Sequence, residues 1–161
     1  MCGDFWAGDY AFSEPESRAL RDFISDHKDE LKFVINFHTS GNDFIWPFNG
    51  RQSNDIDERA PGYLQIFQDI TNHAHFPDGI KHGNSFEVMG DQMGGDADDY
   101  ILDSFGIPSV TSELGADSQY INDWKCSSAE VCFDILHQNS NWIDYVFTNL
   151  GRYSAHVHQK K

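Results

Sequence analysis

Two short apolar runs, each carrying one polar side chain near its end, restrict this fold most: Phe33-Val-Ile-Asn-Phe-His38 and Ile107-Pro-Ser-Val-Thr-Ser-Glu-Leu114. Runs of this length, rich in β-branched residues and bounded by turn residues, read as strands buried inside a sheet. The first passes through a His38-Thr-Ser-Gly41 corner into a second extended run, 43–48, closed by Trp46-Pro47. His38 and Glu113 therefore stand at strand ends, where a rigid sheet can aim a side chain into a cleft.

Helical patterns separate these runs. Ser13-Glu-Pro-Glu16 predicts a helix start, with Ser13 as N-cap, Pro15 in the first turn and Glu16 closing a capping box. Leu20, Phe23, Ile24, His27 and Leu31 follow at helical spacing. Tyr63, Leu64, Phe67 and Ile70 mark a second helix, ended near Pro77-Asp78-Gly79. A last helix opens on the capping box Ser127-Ser-Ala-Glu130, with Cys132, Ile135, Leu136, Trp142, Ile143, Val146, Phe147 and Leu150 along its inner face. The apolar stripes of the first and last helices read as core. Residues 49–60 read as a polar surface loop. Residues 83–100, with four glycines and many carboxylates, read as a long irregular loop. Strands alternating with helices predict an α/β layered sheet.

The 161 residues suffice for one domain with a sizeable core. An aromatic content of 14% argues against disorder. A formal net charge of -15 argues against a phosphate-backbone partner, for there is no basic stripe to release counterions, and it disfavours an anionic membrane surface. No apolar run approaches the roughly 20 residues that span a bilayer. Cys-Gly-Asp-Phe-Trp after Met1 has neither a charged n-region nor an apolar h-region, so no secretory signal is expected there. Cys126 and Cys132 straddle a loop-to-helix junction. A local disulfide is geometrically possible, leaving Cys2 unpaired or paired upstream, and three reduced thiols are an equal alternative. Residues 152–161 read as a polar, disordered tail.

A carboxylate on a strand of Ile, Val and Leu is costly unless it is paired, protonated or at work. One reading makes His38 a metal ligand and Glu113 the base that activates water. The other makes His38 a hydrogen-bonded core residue and pairs Glu113 with an arginine or a backbone amide. Glu87, Asp91, Asp96, Asp98, Asp99 and Asp103 form an acidic stretch. Such oxygens suit calcium, yet the spacing fits no EF-hand, and a solvated loop that steers cationic ligands is the simpler expectation. The closest other histidines, His73 and His75, point to different faces of a helix end. No independent three-ligand zinc site is expected in the chain.

Tyr10-Ala-Phe-Ser-Glu-Pro-Glu-Ser17, the strand ending in His38, the Pro47 turn, the Gly94-Gly95 loop and Gly106-Ile-Pro-Ser-Val-Thr-Ser-Glu-Leu114 occur in a telling order. From about Gly8 to Leu150 the chain resembles the C-terminal half of the zinc metallocarboxypeptidases of the carboxypeptidase A and B type. The resemblance implies a mixed sheet flanked by helices on both faces, with residues 1–151 as the C-terminal part of a single catalytic domain. It implies Zn2+ as cofactor and His38 as the third zinc ligand. Glu113 is implied as the general base, taking a proton from the attacking water and passing it to the leaving amine. Thr39 and Ser40 are implied to line the substrate pocket, often through a strained peptide bond. Side-chain specificity falls near Asp96, Ala97 and Asp98, where an acidic floor would favour a terminal Lys or Arg.

The same resemblance puts the other two zinc ligands, a His-x-x-Glu pair, upstream of this chain, which is expected to lack them. The arginines and the Asn-Arg pair that hold the substrate carboxylate are expected upstream as well. Met89-Gly-Asp-Gln-Met93 stands where pancreatic-type members carry a closing tyrosine, and Tyr100 is a poor substitute. The implied function is removal of C-terminal residues from peptides or proteins, with this chain a fragment, inactive alone, whose partner is the missing N-terminal half. The alternative is a non-catalytic half or pseudoenzyme module that binds a partner chain without turnover. A secreted or lysosome-like compartment fits the family. Halving a buried sheet exposes an apolar edge, so the chain alone is expected to be insoluble or to fold only with its missing part.

Overall fold

The computed structural model describes residues 8–52, 55–122 and 125–153. Its centre is a four-stranded sheet built from β1 (Val34–His38), β2 (Asp43–Ile45), β3 (Lys81–Gly83) and β4 (Ser109–Glu113), in the order β1-β4-β2-β3. β1 runs parallel to β4, β4 antiparallel to β2, and β2 parallel to β3, so the sheet is mixed as the resemblance implied. The helices are α1 (Pro15–His27), α2 (Ile56–Arg59), α3 (Tyr63–His73), α4 (Ser85–Met89), α5 (Ala97–Phe105) and α6 (Ala129–Tyr153).

Alternation along each strand sorts the side chains to two faces. On one face Phe44 and Val110 meet Tyr63, Ile66, Phe67 and Ile70 of α3, and Trp142, Val146 and Tyr153 of α6. On the other, Ile107 packs with Ile24 of α1 and Ile101 of α5, with Val34 alongside. Helices thus cover both faces of the sheet.

Several local expectations need correction. The 83–100 segment is no continuous irregular loop, because it contains α4 and the start of α5. Asn84 accepts from the Glu87 amide while the Glu87 carboxylate accepts from the Asn84 amide, and Asp96 accepts from the Asp98 amide. The polar residues that made this stretch look like a loop are helix caps. Gly83 is required where it stands, because a Cβ there would lie 2.9 Å from Glu87 Cβ. The 49–60 stretch holds α2 and buries Asn49, Ile56 and Ala60. Glu14, not Ser13, occupies the N-cap of α1, without a side-chain cap, and the Ser13 hydroxyl donates instead to the Glu14 carboxylate. At α6 the capping hydroxyl is that of Ser128, which accepts from the Val131 amide at 3.2 Å. Cys126 and Cys132 form a disulfide, which settles the alternative left open by sequence.

The apolar stripes of α1 and α6 are not wholly core. In α1 Ile24 is buried, whereas Leu20 and Phe23 are more than half exposed. In α6 the buried band is Ile135, Asn139, Trp142, Val146 and Tyr153, while Phe133, Leu136 and Phe147 are 72%, 59% and 63% exposed. At 3.6 residues per turn this outer band sits roughly a third of a turn from the inner one. The helix carries more apolar surface than the sheet beneath it covers. Phe37, on the edge strand β1, is likewise half exposed.

Candidate active site

The parallel register of β1 and β4 puts His38 directly beside Glu113, and the antiparallel register of β2 puts Asp43 on the other side of Glu113. Lys81 on β3 pairs in turn with Asp43. One row, His38, Glu113, Asp43, Lys81, therefore crosses the sheet. In-register neighbours share a face, so charges along such a row interact directly. His38 Nδ1 lies 3.8 Å from Glu113 Oε1, and Lys81 Nζ lies 3.3 Å from Asp43 Oδ1. Gly41 allows the close turn from β1 to β2, since a Cβ there would lie 2.7 Å from an Asp43 oxygen and 3.2 Å from Glu113 Cβ.

The two acids differ from ordinary surface carboxylates. Burial pushes the Glu113 carboxyl above its usual range, with Asp43 and Asp117 adding to the rise and His38 opposing it. Glu113 Oε2 is buried and makes no hydrogen bond to protein. Burial also raises Asp43, and Lys81 opposes that rise. Sequence reasoning passed over Asp43. The signal was present, because an acid opening the apolar run Asp43-Phe-Ile-Trp incurs the same desolvation cost that singled out Glu113.

His38 and Glu113 open into a cleft of about 170 Å³ whose floor also includes Asn36, Ile45 and Thr111 from the sheet. Its walls are Ser85, Met89, Met93, Asp96 and Ala97, so the structure brings Ala97 to the same cleft as His38 and Glu113. Thr39 and Ser40 sit beyond this lining, at the corner after β1. The peptide between them is cis, and the Ser40 hydroxyl donates to Asp117 at 2.6 Å. Asp98 points away from the cleft into the interior, fully buried, where the hydroxyls of Ser109 and Thr111 donate to it. Desolvation, reinforced by Asp96, pushes Asp98 up to about 7.

Asn49 ties the walls together. Its backbone amide donates to Asp99 and its side-chain amide to Asp96. Its side-chain oxygen accepts from the Ser85 amide, and its backbone carbonyl accepts from the Ser85 hydroxyl and the Met93 amide. The acidic stretch thus engages its oxygens in hydrogen bonds within the protein.

Among the described residues no three His, Cys, Asp or Glu side chains gather closely enough to hold a metal ion. The His-x-x-Glu spacing, expected to be absent, does occur at His27-Lys-Asp-Glu30. It lies at the exposed C-terminal end of α1, where His27 and Glu30 face each other at 3.7 Å, and it does not join His38. His38 and Glu113 fit a share of a zinc centre: one accessible imidazole beside a buried carboxylate oxygen with no protein partner. They do not make up the three protein ligands that a catalytic zinc takes.

The family model for zinc carboxypeptidases (peptidase family M14) matches residues 1–126. The chain belongs to the zinc carboxypeptidase family. Carboxypeptidase B of Helicoverpa zea is 32% identical over 120 residues, covering 70% of this chain and 27% of the relative. Carboxypeptidase B2 of Mus musculus is 28% identical over 125 residues, covering 74% of this chain and 28% of the relative. The chain therefore spans about a quarter of the length of these curated relatives. The carboxypeptidase A structure from Helicoverpa armigera superposes on 99% of this chain and 38% of its own, with a TM-score of 0.58 at 24% identity. Bovine thrombin-activatable fibrinolysis inhibitor, solved with a tick carboxypeptidase inhibitor, gives 0.62 at 22% identity over 92% of this chain and 50% of its own. The zinc carboxypeptidase fold is thus shared, and this chain carries part of it. Among the described residues, no helix is long and apolar enough to cross a membrane.

Proposed function

We propose that this chain supplies one part of the active site of a zinc-dependent carboxypeptidase that removes C-terminal residues from peptides or proteins. The observation that carries the reading is the register placing His38 and Glu113 side by side over one cleft, with Glu113 Oε2 left without a protein partner. His38 would be one of the zinc ligands. The other two, and the groups that hold the substrate carboxylate, would come from sequence outside these 161 residues. The metal, when bound, would polarise the scissile carbonyl and acidify water.

Glu113 is the proton acceptor of the site. Burial strengthens it as a base, and the carboxylate, with Oε2 free of any protein hydrogen bond, would take the proton from the attacking water and return it to the leaving amine. Asp43 on one side and His38 on the other hold the carboxylate between an anion and an imidazole. Thr39 and Ser40 form the corner beside the site and would contact the substrate chain. Ala97 keeps the wall opposite short, leaving room for a terminal side chain, with Asp96 as a neighbouring acid. The zinc-binding N-terminal half of the domain is the partner this reading requires, and the exposed β1 edge and outer band of α6 are the surfaces that call for cover. The Cys126–Cys132 disulfide supports an oxidising compartment, secreted or lysosome-like.

The test is Glu113→Gln in the full-length protein. Turnover should fall by about 100- to 10,000-fold while zinc content stays at one per chain; retained activity would end the assignment. A second reading, a non-catalytic half that binds its partner without turnover, is favoured by the lack of a three-ligand group among the described residues. Metal analysis of the purified chain decides it, because one zinc per chain together with peptidase activity refutes it.

A further inference from the structure

The ends of β1 and β4 are laced by a short relay of backbone groups. The Leu114 amide donates to the His38 carbonyl at 2.9 Å. The Leu114 carbonyl accepts the Tyr120 hydroxyl at 2.5 Å. One residue, next to Glu113, thus links the strand bearing the imidazole to a phenol from a later turn. The same junction carries the Gly41 amide, which donates to the Gly115 carbonyl at 2.9 Å. Gly115 makes room for the phenol, because a Cβ there would stand 3.0 Å from the Tyr120 hydroxyl and 2.8 Å from Ile135 Cδ1.

Tyr120 is itself held from behind. Its amide donates to the Asp117 carbonyl, it forms a β-bridge with Cys126, and the Ser127 amide donates to the Gln119 carbonyl at 2.9 Å. Cys126 is then bonded to Cys132 in the first turn of α6. The longest of the described helices is therefore covalently fastened to the turn that presents the phenol.

We propose that Tyr120 is a positioning residue: through the Leu114 carbonyl it fixes the spacing of His38 and Glu113, and the Cys126–Cys132 disulfide is the clasp that keeps it there. This rests on reading His38 and Glu113 as ligand and base. Tyr120 lies outside the lining of the cleft, and its hydrogen bond toward the pair goes to the Leu114 carbonyl. It aligns the base and has no share in holding the substrate.

The experiment is Tyr120→Phe in the full-length enzyme, which keeps the ring and removes the donor. Tyr145→Phe, which removes a hydroxyl bonded to Asp69, serves as the matched control. With Tyr120→Phe, kcat should fall by about 10- to 100-fold at unchanged KM and zinc content. The Cys126→Ser, Cys132→Ser double variant should show the same pattern, and the control should leave both constants unchanged. A raised KM at unchanged kcat would make Tyr120 a substrate contact and overturn the proposal, as would no change in either constant. Amide exchange supplies a readout besides activity: Leu114 should exchange about tenfold faster in Tyr120→Phe than in the parent. If the parent enzyme is inactive, the reading of His38 and Glu113 fails by itself. The Leu114 exchange rate then decides the relay alone, and an unchanged rate overturns it.

Discussion

α3 and α6 pack on the same face of one sheet, yet they end in different states. α3 buries Tyr63, Ile66, Phe67 and Ile70, and its remaining apolar residue, Leu64, is partly buried against the same core. α6 buries one band and leaves Phe133, Leu136 and Phe147 in solvent. α3 lies against Trp46, next to β2, and stacks Phe67 on its indole. α6 reaches the β1 edge, where Tyr153 meets Phe33 and Trp142 meets the half-exposed Phe37. The molecule is closed around α3 and open on the β1–α6 side. Covering a Phe or Leu side chain is worth roughly 1.5–3 kcal/mol, so the open side leaves unrealised an amount comparable with the net stability of a small domain.

The comparison breaks most easily on the isolated chain. Expressed alone it should aggregate or fail to melt cooperatively, and co-expression with the upstream part of its domain should restore a soluble species. A monodisperse monomer with a single cooperative transition would mean that the open side needs no cover. A smaller effect separates the two bands of α6 in the complete domain. Trp142→Ala should cost about 3–5 kcal/mol whatever its surroundings. Phe147→Ala should cost about 3–5 kcal/mol where that band is covered and within about 0.5 kcal/mol where it is not. Denaturant unfolding of both variants measures the difference, and a silent Phe147 in the complete domain would place the missing cover elsewhere.

The smallest effect probes the closed interior. Asp98 sits at about 7 when folded, above its ordinary 3.8, so folding takes up a proton between those values. Its contribution is full below about 4, declines as pH rises and is lost above about 7. Between pH 5 and pH 8 the parent should therefore lose more melting temperature than Asp98→Asn does, by about 2–4 °C for each kcal/mol involved. Equal slopes in the two proteins would show that water reaches Asp98.

Much of this architecture is legible in residue order, for stated reasons. β1 and β4 announce themselves because β-branched runs ended by turn residues have few alternatives, and α1, α3 and α6 show helical spacing. α4 and α5 do not, because five- and nine-residue helices hold few apolar positions and their acidic caps look like solvent-facing loop. The stripes of α1 and α6 read as core because periodicity records which face is apolar and is silent on whether anything lies against it. His38 and Glu113 could be placed at strand ends. Their meeting could not be read, because it depends on a parallel pairing between segments more than 70 residues apart. Asp43 joins them through a second pairing of the same long-range kind.

Asn49 gives the cleft an unusual stiffness. Ser85 on α4, Met93 in the loop after it, and Asp96 and Asp99 at the start of α5 are each bonded to this one buried residue. None of them can yield to a bulky guest by itself, since displacing one strips a partner from Asn49 and leaves a buried polar atom unsatisfied. The wall therefore gives way as a unit or holds as a unit, and the limit on guest size is a threshold set at a position that the guest never touches.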